Sequence, residues 1–105
     1  MFKQIPSLKE IIEESARYPV LLYKHSSTCG KSVQAQKEVE SYLAEFSEDA
    51  YRLVVQDERP LSNEIAEKLN IKHETPQLII LSESKSLFVL NHDNITKSSI
   101  EKLLH

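Results

Sequence analysis

The chain has 105 residues, 40% of them hydrophobic and 28% charged, a balance that excludes disorder and fibrous repeats and suits one domain over residues 1–105. A formal net charge of −3, with Lys and Arg dispersed among Asp and Glu, excludes the basic footprint of a nucleic-acid binder. There is one cysteine, Cys29, which excludes an intrachain disulfide and a multi-thiolate zinc site and leaves two readings, a buried inert thiol or a reactive one.

Met1 to Pro6 lacks the apolar stretch of a signal peptide, and no run approaches the ~20 apolar residues of a membrane span. A soluble, cytoplasmic protein is expected, without membrane or nucleic-acid partners. Ser7-Leu8-Lys9-Glu10 has the capping-box pattern, and Leu8, Ile11, Ile12 and Ala16 follow at helical spacing, so a helix is predicted over 7–17. Pro19 ends it. Val20 to Lys24 is a short, nearly continuous apolar run of the kind that forms a central strand. Ala35, Val39, Tyr42, Leu43 and Phe46 recur every three or four residues and predict an amphipathic helix over 30–46, with Cys29 at its first turn.

Tyr51 to Val55 reads as a second buried strand. Pro60, as a first helical residue, opens a short helix to about Asn70. Gln77 to Leu81 and Leu87 to Leu90 are apolar runs joined by Ser82 to Ser86, which predicts an antiparallel hairpin with a five-residue turn. Thr96 can cap a last helix carrying Ile100, Leu103 and Leu104. A helical crossover makes the first two strands parallel. The expected fold is therefore α/β, a mixed four-stranded sheet with helices on both faces and an extra N-terminal helix. In such sheets ligands gather beyond the carboxyl ends of the strands, which is where Cys29 falls.

A cysteine at a helix amino terminus meets unpaired amides and the positive end of the helix dipole. These favour thiolate and bring such sites to ~3.5–7.5, against ~8.5 for a free thiol. Lys31 adds positive charge, Gly30 leaves the approach uncrowded, and Ser32 stands three residues on, where a dithiol oxidoreductase carries its second cysteine. Ser32 can donate to the sulfur but cannot resolve a mixed disulfide. Ser26, Ser27 and Thr28 make the surroundings polar, which favours the reactive reading over the inert one. Gly30-Lys31-Ser32 is not a phosphate loop, because His25 stands where its first glycine belongs, and Ala35 occupies the arginine position of a cysteine phosphatase. His25 and His73 are candidates to approach the thiol as proton donor or charge partner. Lys24 and Arg59 are candidates to hold a carboxylate if their ends face the site, and no metal site is expected.

A strand, Cys29-Gly30-Lys31-Ser32 at a helix start, and Glu74-Thr75-Pro76-Gln77 before a hairpin together resemble the thioredoxin-like superfamily, over essentially the whole chain from Val20 to Leu104. The resemblance implies that Pro76 is a cis proline beside the active cysteine and that the backbone of Thr75 pairs with an extended substrate. More closely, Tyr23-Lys24-His25-Ser26 leading to Thr28-Cys29, Glu58-Arg59-Pro60, and Lys72-His73-Glu74-Thr75-Pro76-Gln77 look like the YtxJ-like family of monothiol bacilliredoxins. That resemblance implies a monothiol thiol-disulfide oxidoreductase with Cys29 as nucleophile. Its clients would be S-thiolated proteins, its co-substrate bacillithiol, and its state monomeric with no tightly bound cofactor. One departure is Gly30-Lys31, where many members have Pro-Ile. It shifts the motif toward the Cys-Gly-Phe-Ser of monothiol glutaredoxins, some of which carry an iron-sulfur cluster, so a cluster carrier is an alternative expectation. A third is a non-catalytic thioredoxin-like interaction module.

Overall fold

A computed structural model describes residues 1–105. In chain order the elements are β1 (Phe2–Gln4), α1 (Leu8–Ser15), β2 (Val20–His25), α2 (Gly30–Phe46), β3 (Ala50–Val54), α3 (Arg59–Lys68), β4 (Gln77–Ser82), β5 (Lys85–Asn91), a short 3₁₀ turn (His92–Asn94) and α4 (Lys97–Leu104). The sheet runs β1-β3-β2-β4-β5, with β1, β3 and β2 parallel and both β2–β4 and β4–β5 antiparallel. It has five strands, where the sequence predicts four. The missed strand, β1, has three residues, too few to show an alternation. Met1 O and Ala50 N continue its pairing with β3, and the Phe2 ring stacks on Tyr23 at 5.7 Å.

Side chains alternate across the central strands. On one face Val20, Leu22, Leu53, Ile79 and Leu81 pack under α1 and α3, while Leu21, Tyr23, Leu78 and Ile80 pack under α2 and α4. Burial of a Leu or Ile of this kind contributes about 1.5–3 kcal/mol. The Ser7 cap forms as predicted, accepting from the Glu10 amide at 3.1 Å. The reciprocal arm differs, since the Ser7 hydroxyl donates to the Glu10 carboxylate at 2.9 Å. Thr96 caps α4 by accepting from the Ser99 amide at 3.0 Å.

The ends of β3 and α3 and the hairpin turn differ from prediction. Strand β3 begins at Ala50 and ends at Val54. Pro60 is the second residue of α3 rather than the first, and α3 ends at Lys68, with Asn70 beyond it in the left-handed region at φ 53°. The hairpin turn has two residues, not five. Glu83 and Ser84 take positive φ of 55° and 66° without the Asn-Gly signature such turns favour. The end of α1 holds them there, because the Glu83 amide donates to the Ser15 carbonyl and the Ser84 amide to the Ser15 hydroxyl, at 2.8 and 3.1 Å. No helix is long and apolar enough to cross a membrane.

Candidate active site

Strand β2 delivers the chain to one end of the sheet, and the loop of Ser26, Ser27 and Thr28 carries it into α2. Cys29 is the N-cap of that helix rather than part of its first turn, with extended φ and ψ of −109° and 121°. A Ser or Asp here would cap through its side chain, but Cys29 makes no such bond. The Ser32 amide donates to the Cys29 carbonyl at 3.0 Å, and the amides of the first turn act on the sulfur by lying close to it. The Ser32 amide and then the Lys31 amide hold the thiol below its ordinary range, helped by the Ser32 hydroxyl and the Lys31 ammonium. The Lys31 ammonium has the smallest effect of these. It is also ion-paired with Asp93 across to the 3₁₀ turn at 3.3 Å, an exposed contact of little energetic weight.

Ser32 is fully buried, and its hydroxyl oxygen accepts from the Ser26 amide at 3.2 Å. The same residue therefore braces the loop before the cysteine and faces the sulfur after it. Gln56, just beyond β3, completes the brace. Its amide nitrogen donates to Ser26 Oγ at 2.9 Å and to Thr28 Oγ1 at 3.3 Å, and its carbonyl accepts from the Ser27 amide at 3.1 Å. Sequence reasoning missed Gln56, which nothing but its place after a strand distinguishes. Gly30 has an unremarkable role, since an added Cβ would meet nothing within 4 Å. The position faces open space, and its backbone does not require glycine.

Beneath the first turn of α2 lies Tyr23, fully buried, its hydroxyl donating to the Ser32 carbonyl at 3.0 Å. With that proton spent, the 3.2 Å contact to His25 Nδ1 must be donated by the ring, so His25 carries its proton on Nδ1. Burial, and next the charge of Arg52, lower the His25 pKa. His73 is bound instead to Lys24 at 3.2 Å and to the Ser62 hydroxyl at 3.5 Å. Its pKa too is lowered, by burial first and by the Lys24 charge second. Both rings are neutral at pH 7, and neither is among the groups that shift the thiol. As charge partners of Cys29 the two histidines are not supported.

Lys24 does not meet the condition set for it. It is 0% exposed and cannot present its ammonium to a carboxylate in solvent, whereas Arg59, at the start of α3, is exposed. Opposite the end of β2, the Thr75–Pro76 peptide bond is cis, and Pro76 is buried. The register pairs Lys24 with Gln77, which sets Thr75 and Pro76 beside the strand that leads to Cys29. Gln77 anchors this loop by donating to the Lys72 carbonyl at 3.0 Å and to Asn91 at 2.9 Å. Thr75 itself makes no hydrogen bond to the rest of the chain. No group of three or more His, Cys, Asp or Glu side chains converges as a metal site would require.

The lowered thiol predicts a specific pH dependence. A neutral alkylating agent reacts with the thiolate, so its rate should rise with pH around a midpoint below that of Cys29 in the denatured chain. Equal midpoints for folded and denatured protein would contradict the influence of the first-turn amides on the thiol.

Residues 2–100 match the family described as monothiol bacilliredoxin BrxC. Among solved structures, one described by its thioredoxin fold and provisionally named an oxidoreductase is 35% identical, covers 96% of this chain and 91% of its own, and superposes with a TM-score of 0.88. Thioredoxin O2 from Arabidopsis thaliana, in the oxidized state, is 20% identical over 99% of this chain and 95% of its own, with a TM-score of 0.74. The oxidised thioredoxin from Plasmodium falciparum is 18% identical over 99% and 95%, with a TM-score of 0.69. At these lower identities the likeness is one of fold alone.

Proposed function

Because this chain belongs to the monothiol bacilliredoxin family, and family and fold both support a thiol oxidoreductase, we propose that it removes bacillithiol from protein mixed disulfides through Cys29. The observation that carries this reading is the isolation of one thiol at a helix start. Ser32 occupies the position a resolving cysteine would need, and the chain has no other cysteine.

In the first step the Cys29 thiolate attacks the bacillithiol sulfur of the mixed disulfide. A new disulfide joins Cys29 to bacillithiol, the old one breaks, and the client sulfur leaves as a thiolate that takes a proton from water. A second bacillithiol, as thiolate, then attacks the sulfur of the bound one. That releases bacillithiol disulfide and restores the Cys29 thiolate. The net exchange converts one mixed disulfide and one thiol into one client thiol and one small-molecule disulfide, so electrons balance without a further reductant.

The surroundings support a protein client. Thr75 has a free backbone amide and carbonyl for an extended segment. Val33, one helical turn after Cys29, is 54% exposed and offers apolar contact beside the thiol. We place the protein in the cytoplasm, where a lone thiol stays reduced between turnovers. In a test, a client blocked with bacillithiol is incubated with the protein and free bacillithiol, and client thiol is followed over time. Release well above the rate given by bacillithiol alone is expected, and release at the uncatalysed rate overturns the reading.

A further inference from the structure

Val20 and Leu22 face the apolar layer under α1 and α3, and Lys24 follows them on the same side. Its ammonium is fully buried and has no carboxylate partner. A buried charge of this kind is costly unless hydrogen-bonded. Nζ donates to the Ser62 carbonyl of α3 at 3.0 Å and lies 3.2 Å from His73 Nδ1, in the loop that leads to Pro76. An ammonium has donors only, so Nδ1 must accept. The Ser62 hydroxyl, 3.5 Å from the same nitrogen, can likewise only donate to it. The imidazole proton is therefore on Nε2. That nitrogen has no partner within the chain, and His73 is exposed.

We propose that Lys24 is a positioning residue that sets His73 as an Nε2–H donor for an acceptor oxygen of the bound mixed disulfide, two residues before Thr75. The proposal rests on the reading that the Thr75–Pro76 loop receives the substrate. Charge states agree with it at neutral pH. Burial brings the Lys24 pKa down only to about 8, so the ammonium persists. Around His73, Lys24 from β2 and Arg59 from α3 oppose protonation while Glu74 from the loop favours it, and the balance with burial lies below the ordinary histidine range.

The first test is a long-range proton–nitrogen NMR spectrum of the resting wild-type protein at pH 7. The expected result is a protonated Nε2 and an unprotonated Nδ1 at His73, and a proton on Nδ1 overturns the proposal. The second is kinetic. His73→Ala and Lys24→Met should each raise KM for a bacillithiol-blocked peptide about three- to ten-fold, the worth of one hydrogen bond, with kcat retained. Unchanged KM in both variants also overturns it. If Lys24→Met does not fold, the wild-type spectrum and His73→Ala decide alone.

The source of the oxygen is found with the same peptide blocked by cysteamine, which has no carboxylate. A KM effect that persists assigns the acceptor to the peptide, and one that vanishes assigns it to the small thiol. Failure of the exchange reading shows separately, as no client release by wild type, and leaves the tautomer measurement decisive.

Discussion

Replacing Cys29 by Ser is expected to lower client release by about 10³-fold or more, since removing a covalent nucleophile costs on that order or beyond. The amides of Lys31 and Ser32 that favour a thiolate cannot make an alkoxide of a serine at neutral pH. The fold has no stake in the sulfur. Cys29 makes no capping bond, whereas Ser is among the preferred N-caps, so the variant should be as stable as wild type or more stable by about 0.5–1 kcal/mol. Activity and stability thus move in opposite directions. A thermal melt beside the exchange assay checks both, and a variant that retains a tenth of the wild-type rate would remove Cys29 from the chemistry.

The second large effect concerns Lys24 and pH. Its folded pKa of about 8 lies below the ordinary 10.5, so between these values the unfolded chain binds more protons than the folded one. Stability from this group therefore rises with pH across that window. Relative to Lys24→Met, wild type should gain about 2 kcal/mol between about pH 7.5 and about pH 9.5. The tyrosines do not confuse the comparison. Tyr51, raised to about 12 mainly by its hydrogen bond to Glu14, works in the opposite sense only above pH 10 and is common to both proteins. Denaturant unfolding at the two pH values reads the difference directly. Parallel behaviour of wild type and Lys24→Met would mean that the ammonium is not held where the structure puts it.

Much of the fold can be read from short-range pattern. The apolar run at Val20, the three-and-four spacing from Ala35 to Phe46, and the caps at Ser7 and Thr96 each appear where local chemistry places them. Strand β1 escapes because its partner is contributed by residue 50 and beyond, a relation no local pattern carries. The two-residue turn at Glu83 escapes for a similar reason, being held by Ser15 from a distant helix.

The candidate site divides the same way. Cys29, Ser32, Thr75 and Pro76 are visible as a motif, but the brace from Gln56 and the floor that Tyr23 makes under α2 arise from tertiary proximity. Lys24 is the clearest case. In the sequence it is a candidate to hold a carboxylate if its end faces the site, and only the packing of α3 and the loop before Pro76 shows that it points inward. His25 and His73 follow from this, because each is engaged by a buried neighbour before it could serve the thiol.

The central claim is that Cys29 alone carries the small thiol between client and solution, and the intermediate it requires has a defined mass. Bacillithiol-blocked client is mixed with the protein in the absence of free bacillithiol, quenched with acid, and analysed by intact-mass spectrometry. The account predicts one bacillithiol added to this chain, located on Cys29, with one equivalent of client thiol released. Client thiol released without that adduct, or an adduct of client with Cys29 that retains no bacillithiol, would contradict it.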